Sequence, residues 1–167
     1  MIRVAITGPE STGKTTLAKA ISEKLNGEYI PEFAREYLAE LKGKYKQSDL
    51  NEIARRQLGS LLNSSARLRI SDTDFVVLDI WSNEKYGSTS SYIEDLIINK
   101  YFDLHILCTP DIPWEEDPLR ENPNDRDRLF DLYKTRLIEL KKPFIIVEGS
   151  HEERLKKSCE AIGTISL

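Results

Sequence analysis

GPESTGKTT, Gly8 to Thr16, follows directly on IRVAIT, Ile2 to Thr7, and the junction of these two stretches decides the fold. Residues 2–7 favour β-branched types with little alternation, the pattern of a strand buried on both faces, and Gly8 stops it. From Lys14 the apolar positions Leu17, Ala18, Ile21 and Leu25 recur at helical spacing, up to a stop at Asn26-Gly27. A strand, a glycine-bearing turn and a helix in that order form the setting in which G-x-x-x-x-G-K-[ST] binds phosphate. Gly8, Gly13, Lys14 and Thr15 fill its fixed positions. The glycines let the loop from Gly8 through Glu10, Ser11, Thr12 and Gly13 to Thr16 curl so that backbone N–H groups face the phosphates. Lys14 then reaches the β and γ oxygens, and Thr15 ligates Mg²⁺. A turn that only links strand to helix needs neither Lys14 nor Thr15.

Further along, Glu28 to Ile30 reads as a short strand with a helix beginning near Phe33. A longer helix opens at Ser48, with Leu50, Ile53, Ala54, Leu58, Leu61 and Leu62 on one stripe. Leu68 to Asp72 suits a third strand. FVVLDIW, Phe75 to Trp81, is ambiguous by period alone, because four adjacent apolar residues suit a strand or a buried helix. DLHILCT, Asp103 to Thr109, and Phe144 to Val147 read as buried strands, separated by a polar, Pro-rich segment and a helix from about Arg126 to Lys141. A last helix follows Ser150, its inner face marked by Leu155, Cys159 and Ile162. Strands alternating with helices predict a parallel sheet covered on both sides, a three-layer α/β fold.

The 167 residues suit one domain spanning 1–167. With 31% charged residues, a net charge of −4 and no long basic run, nucleic acid is not the expected partner. The longest strictly apolar runs are four residues, FVVL and FIIV, and the start MIRVAITG lacks the plan of a signal peptide, so no membrane partner and a cytoplasmic location are expected. Cys108 and Cys159 lie far apart without a CxxC, and both read as small apolar core residues rather than as a zinc site or disulfide.

Four further stretches carry candidate chemistry. In RISDTD, Asp72 and Asp74 stand where a strand ends, at the carboxyl edge where α/β folds hold ligands, and one carboxylate there can orient Mg²⁺ through its water shell. The alternative for one of the two is a helix N-cap. The segment of roughly 111–126 has the length and composition of a lid, and Arg120 and Arg126 are its preferred clamps on the γ-phosphate, with Arg128 beside them. The alternative is a solvated loop paired with its own acids. IPEFAREY places Glu32, Arg35 and Glu36 near the same edge, where a carboxylate can accept a proton from an acceptor hydroxyl or grip a ribose diol; a helix-start acid favoured by the dipole is the plainer reading. Trp81 and Tyr86, with Trp114 in the lid, offer flat walls for a ring.

Taken together, GPESTGKTT, PEFAREYL, DTD followed by IWSNEKYG, and CTPDIPWEEDPLREN resemble the NadR-type ribosylnicotinamide kinase family, sometimes grouped with AAA-like ATPases. The resemblance runs over nearly the whole chain, and the pairing of PEFARE with DIPWEEDPLR is its specific part. It implies a P-loop kinase fold with a five-stranded parallel sheet, a helix over 75–87, and ATP with Mg²⁺ as cosubstrates. It further implies transfer of the γ-phosphoryl group to the ribose 5′-hydroxyl of nicotinamide riboside, giving nicotinamide mononucleotide for NAD synthesis. On that reading Lys14, Glu32 or Asp74, Arg120 and Arg126 act on the reacting groups, and Glu32, Arg35, Glu36, Trp81 and Tyr86 meet the substrate. Thr15 and Asp72 would hold the metal. A ring of fixed positive charge favours a tryptophan face with an acid such as Glu84 nearby. The family's longer members carry an adenylyltransferase domain ahead of this region, and that second activity is not expected here. Pro118 stands where the family has Gly, which predicts a stiffer lid. Two other readings stay open: a P-loop kinase for a different nucleoside or small alcohol, and a nucleotide-binding regulatory ATPase.

Overall fold

The computed structural model describes residues 1–42, 44–117, 120 and 124–165. Five strands, β1 (Ile2–Thr7), β2 (Glu28–Ile30), β3 (Leu68–Asp72), β4 (Leu104–Cys108) and β5 (Phe144–Val147), form one sheet in the order β2-β3-β1-β4-β5. Every pairing is parallel, with Ile6 opposite Asp72 on one side of β1 and opposite Ile106 on the other. Seven helices are assigned among the described residues: α1 (Lys14–Leu25), α2 (Phe33–Glu40), α3 (Gln47–Asn63), α4 (Phe75–Tyr86), α5 (Ser91–Ile98), α6 (Arg126–Glu139) and α7 (His151–Ile165).

Alternation along β1 divides the core into two layers. Val4 and Ile6 pack with Leu17, Ala18 and Ile21 of α1 and Ile162 of α7, whereas Ala5 joins the larger cluster built from α2 to α6. Successive strand residues face opposite sides of a sheet, so one six-residue strand seeds both layers. The three-layer α/β architecture read from the alternation is the architecture observed. The helix expected over 75–87 is α4, which Asp74 caps and Gly87 closes in the left-handed conformation at φ 75°.

The structure departs from the sequence pattern at four places. α3 opens one residue early, at Gln47, because the Asp49 carboxylate accepts the Lys46 N–H at 2.7 Å. Its stripe admits buried Gln57 while Leu62 is 44% exposed. On α7 the inner residues are Arg154, Ser158 and Ile162, leaving Leu155 and Cys159 only half-buried, since polar side chains take two inner positions. α5 had no counterpart in the sequence reading, although Ser90 caps it and Ile93, Leu96 and Ile97 bury its inner face.

Candidate active site

The phosphate loop leaves the carboxyl end of β1, the central strand, and returns as α1. Gly8 adopts φ 128° against β4, where an added Cβ would lie 2.8 Å from the Cys108 carbonyl oxygen, so no larger residue fits without moving backbone. Gly13 is left-handed at φ 77° and passes into the first turn of α1, whose free N–H groups and dipole attract anions. Lys14 Nζ donates to the carbonyls of Gly8 at 2.9 Å and Pro9 at 2.6 Å, which holds the ammonium over the loop.

One cavity of about 640 Å³ contains the whole loop, Gly8 to Thr16, and runs on between α2, α4 and α6. Its far part is lined by Glu32, Leu38, Ile80, Trp81, Leu129 and Tyr133. Glu32 sits at the N-cap position of α2 without spending its side chain on a cap. Gln57 fixes the backbone on either side of it, accepting from the Phe33 N–H at 2.9 Å and donating to the Pro31 carbonyl at 3.2 Å. Burial pushes the Glu32 carboxyl above the ordinary carboxylate range; the Lys14 ammonium opposes that rise and Asp72 adds to it. A carboxylate of raised proton affinity, close enough to the loop lysine to feel its charge, has the character of a general base.

Asp74 is buried deeper. Its Oδ1 accepts from the Thr7 hydroxyl at 3.1 Å and the Val77 N–H at 2.9 Å, and it is absent from the cavity lining. The N-cap alternative is what the structure shows at this residue. Its second oxygen faces His105 Nε2 at 3.6 Å; burial raises the Asp74 pKa and lowers that of His105. Asp72, also buried, accepts from the Tyr29 hydroxyl at 2.9 Å through Oδ2, while its Oδ1 has no partner.

Arg126 and Arg120 meet the phosphate loop from the lid side. Arg126 Nη1 donates to the Ser11 carbonyl at 2.8 Å and Nη2 to the Ile112 carbonyl at 3.0 Å, while Arg120 Nη1 lies 3.4 Å from Ser11 Oγ. The Ser11 hydroxyl also accepts the Glu115 N–H at 2.9 Å. The Trp114 ring lies 5.9 Å from the Arg120 guanidinium and 5.8 Å from that of Arg126; Arg120 lines the cavity, whereas Trp114 and Arg126 lie outside its lining, so the ring packs on these two arginines and forms no cavity wall. The lid residues 118, 119 and 121–123, including Pro118, lie outside the described residues.

On the acceptor side the structure brings Arg35 and Trp81 to the cavity and leaves Glu36 and Tyr86 out of its lining. Glu36 is exposed on the outer face of α2, and Tyr86 donates to the Tyr45 carbonyl at 3.3 Å. Helical period is the reason: Val77, Ile80, Trp81 and Glu84 share one face of α4, and residue 86 falls off that series. Trp81 is oriented by Tyr45, which accepts the indole N–H at 2.8 Å and meets the ring edge-on. Arg35 pairs with Asp117 at 2.6 Å. Glu84 lines the cavity but is bound by Arg128 at 2.5 Å, which lowers its pKa. Arg128, paired with Glu84 of α4 and with Asp125, lies outside the cavity lining. Tyr133, Gln57 and Arg154 have no counterpart in the sequence reading. Only Tyr133 left a signal, the four-residue spacing of Leu129, Tyr133 and Leu137.

A phosphate loop between the first strand and first helix of a parallel sheet defines a P-loop α/β domain. Residues 3–154 match the family described as AAA domain, and the chain belongs to that family, with a P-loop domain of the NadR type. Over 132 residues the chain is 30% identical to the trifunctional NAD biosynthesis/regulator protein NadR of Salmonella typhimurium, covering 75% of this chain and 32% of that protein. The chain thus spans about a third of the length of the curated relatives it matches. Among solved structures, NadR in complex with NR superposes with a TM-score of 0.78 at 19% identity, over 98% of this chain and 50% of that one. Deoxyadenosine kinase from M. mycoides, with dCMP and dCDP bound, does so with a TM-score of 0.69 at 17% identity, over 98% and 100%. The fold is that of the P-loop kinases. No helix among the described residues is long and apolar enough to cross a membrane.

Proposed function

We propose that the chain is an ATP-dependent kinase that phosphorylates a nucleoside hydroxyl, with the ribose 5′-hydroxyl of nicotinamide riboside as the acceptor and nicotinamide mononucleotide as the product. The observation that carries this reading is the continuity of one cavity from the Lys14 loop past Glu32 to the aromatic surface of Trp81 and Tyr133. Donor phosphates and an acceptor alcohol can meet there without leaving a shared space, which is the positioning that phosphoryl transfer requires. NadR, which matches in both sequence and structure, has been solved with NR, and this supports the choice of acceptor.

In the reaction, backbone N–H groups of the loop and the Lys14 ammonium hold the triphosphate. The acceptor oxygen attacks the γ-phosphorus, the bond from that phosphorus to the bridging oxygen breaks, and ADP leaves. Glu32 takes the hydroxyl proton. Arg126 exchanges its contact with the Ser11 carbonyl, and Arg120 its contact with the Ser11 hydroxyl, for the γ-phosphate as charge builds on its oxygens. The donor set suits the Mg²⁺ that accompanies ATP: the exposed Thr15 hydroxyl lies on the cavity, and Asp72 Oδ1 is a buried acceptor without a partner at the adjoining strand end. Thr15 would ligate the ion and Asp72 orient its water shell, and the ion would supply charge neutralisation on the phosphates.

The test is ADP release with Mg·ATP and a panel of nicotinamide riboside, thymidine, cytidine and thiamine. Release confined to nicotinamide riboside upholds the reading. Release with another member keeps the kinase and replaces the acceptor, and slow release indifferent to all four marks a regulatory ATPase.

A further inference from the structure

Arg154 occupies an inner position of α7 and is 4% exposed. A guanidinium buried to that degree is costly unless its donors are matched. Each of its three nitrogens donates to protein: Nε to the Gly149 carbonyl at 3.0 Å, Nη1 to the Thr12 carbonyl at 2.8 Å, and Nη2 to the Thr109 carbonyl at 3.2 Å and to the Asp111 carboxylate. Asp111 also accepts from the Thr109 hydroxyl at 2.5 Å and the Gly149 N–H at 2.6 Å. The phosphate loop, the end of β4, the root of the lid and the β5–α7 turn therefore converge on one cation. Thr12, Gly13, Gly149 and Arg154 all line the cavity.

The bond to Thr12 has a geometric consequence. A trans peptide is planar with its C=O and N–H on opposite sides, and no cis peptide is present among the described residues. Turning the Thr12 carbonyl onto Arg154 turns the N–H of Gly13 the other way. We propose that Arg154 is a positioning residue for the donor nucleotide: it orients the Thr12–Gly13 peptide so that the Gly13 N–H faces the phosphates, and through Asp111 it fixes the root of the lid to the same loop. This role rests on ATP being the donor, as in the reading above. Lysine cannot replace it, because a point charge lacks the fork that reaches several oxygens at once.

Calorimetric titration of Mg·ATP, and separately of sodium tripolyphosphate, into wild type, Arg154→Lys and Asp111→Asn tests the role, each protein first being shown to melt cooperatively. Wild type is expected to bind both ligands. Arg154→Lys is expected to weaken both by about tenfold or more, and Asp111→Asn to weaken both by a smaller factor. Equal affinities in wild type and folded variants overturn the positioning role and leave the kinase reading standing. Loss for ATP with tripolyphosphate unchanged places the effect at the base and overturns the assignment to the phosphate loop. Failure of wild type to bind either ligand removes the kinase reading, and this role with it. If Arg154→Lys does not fold, Asp111→Asn decides by the same criteria.

Discussion

Arg126 donates to the carbonyl oxygen of Ser11 at 2.8 Å, so the first residue of α6 is bound to the backbone of the phosphate loop. A neutral carbonyl is a weaker partner for a guanidinium than a phosphoryl oxygen carrying developing charge. Arg126→Ala is expected to lower kcat by up to about 10³-fold, with a smaller change in the KM for the acceptor. Steady-state kinetics with both substrates saturating checks this, and a kcat equal to that of wild type removes Arg126 from the clamp.

Lys14 makes its two hydrogen bonds to the carbonyls of Gly8 and Pro9, which line the cavity. Lys14→Ala is expected to abolish turnover while leaving the melting temperature within about 2 °C, the range of a substitution outside the core. ADP release and calorimetric melting measure the two halves independently.

Glu32 carries a pH signature whose sign follows from its raised pKa. The folded protein holds the Glu32 proton more tightly than the unfolded chain, so stability falls as pH rises through the window above the ordinary value of 4.5 and stays lower at neutral pH. Glu32→Gln is accordingly expected to melt higher than wild type at pH 7 and to lose that advantage below pH 4.5. Its kcat is expected to fall by about 10² to 10⁴-fold, the usual contribution of a general base. In wild type the acid limb of kcat is expected above 4.5. A Gln variant that is both slower and less stable at pH 7 contradicts the assignment.

Trp81 offers a face whose contact with a cationic ring contributes about 0.5 to 2 kcal/mol. Trp81→Ala is expected to raise the KM for nicotinamide riboside by up to about thirtyfold, and Trp81→Phe to recover most of the loss. An unchanged KM in the Ala variant places the ring elsewhere.

Gly8 is the position where backbone conformation and space coincide, with φ 128° and the Cys108 carbonyl oxygen 2.8 Å from where a Cβ would stand. Gly8→Ala is expected to cost more than about 1 kcal/mol of stability, read as a lower melting temperature, because strain and overlap add. A melting temperature equal to that of wild type shows that the loop can shift without loss.

The strands and most helices were legible because their signals are local: β-branched runs, one helical stripe after another, and a glycine motif at a strand end. The phosphate loop was legible for the same reason. What escaped depends on contacts distant in sequence. The side chain of Gln57 is aligned with an apolar stripe yet serves the backbone beside Glu32, and Arg154 interrupts another stripe to reach Thr12, a separation of 142 residues. Glu36 and Tyr86 looked equivalent to Arg35 and Trp81 until helix phase separated them. Asp72 and Asp74 are two residues apart and were interchangeable as metal ligand or cap; the turn into α4 assigns the cap to Asp74.

The order of the sheet also bears on how such an enzyme diversifies. The phosphate loop and its Arg154 support hang from the ends of β1, β4 and β5, whereas the wall around Trp81 and Tyr133 is made by α2, α4 and α6, which rest on the sheet, with Arg126 at the start of α6 reaching back to the loop. Mutations that reshape the wall leave the strand ladder and its loop untouched, so a lineage can exchange one alcohol for another while keeping its phosphate chemistry intact.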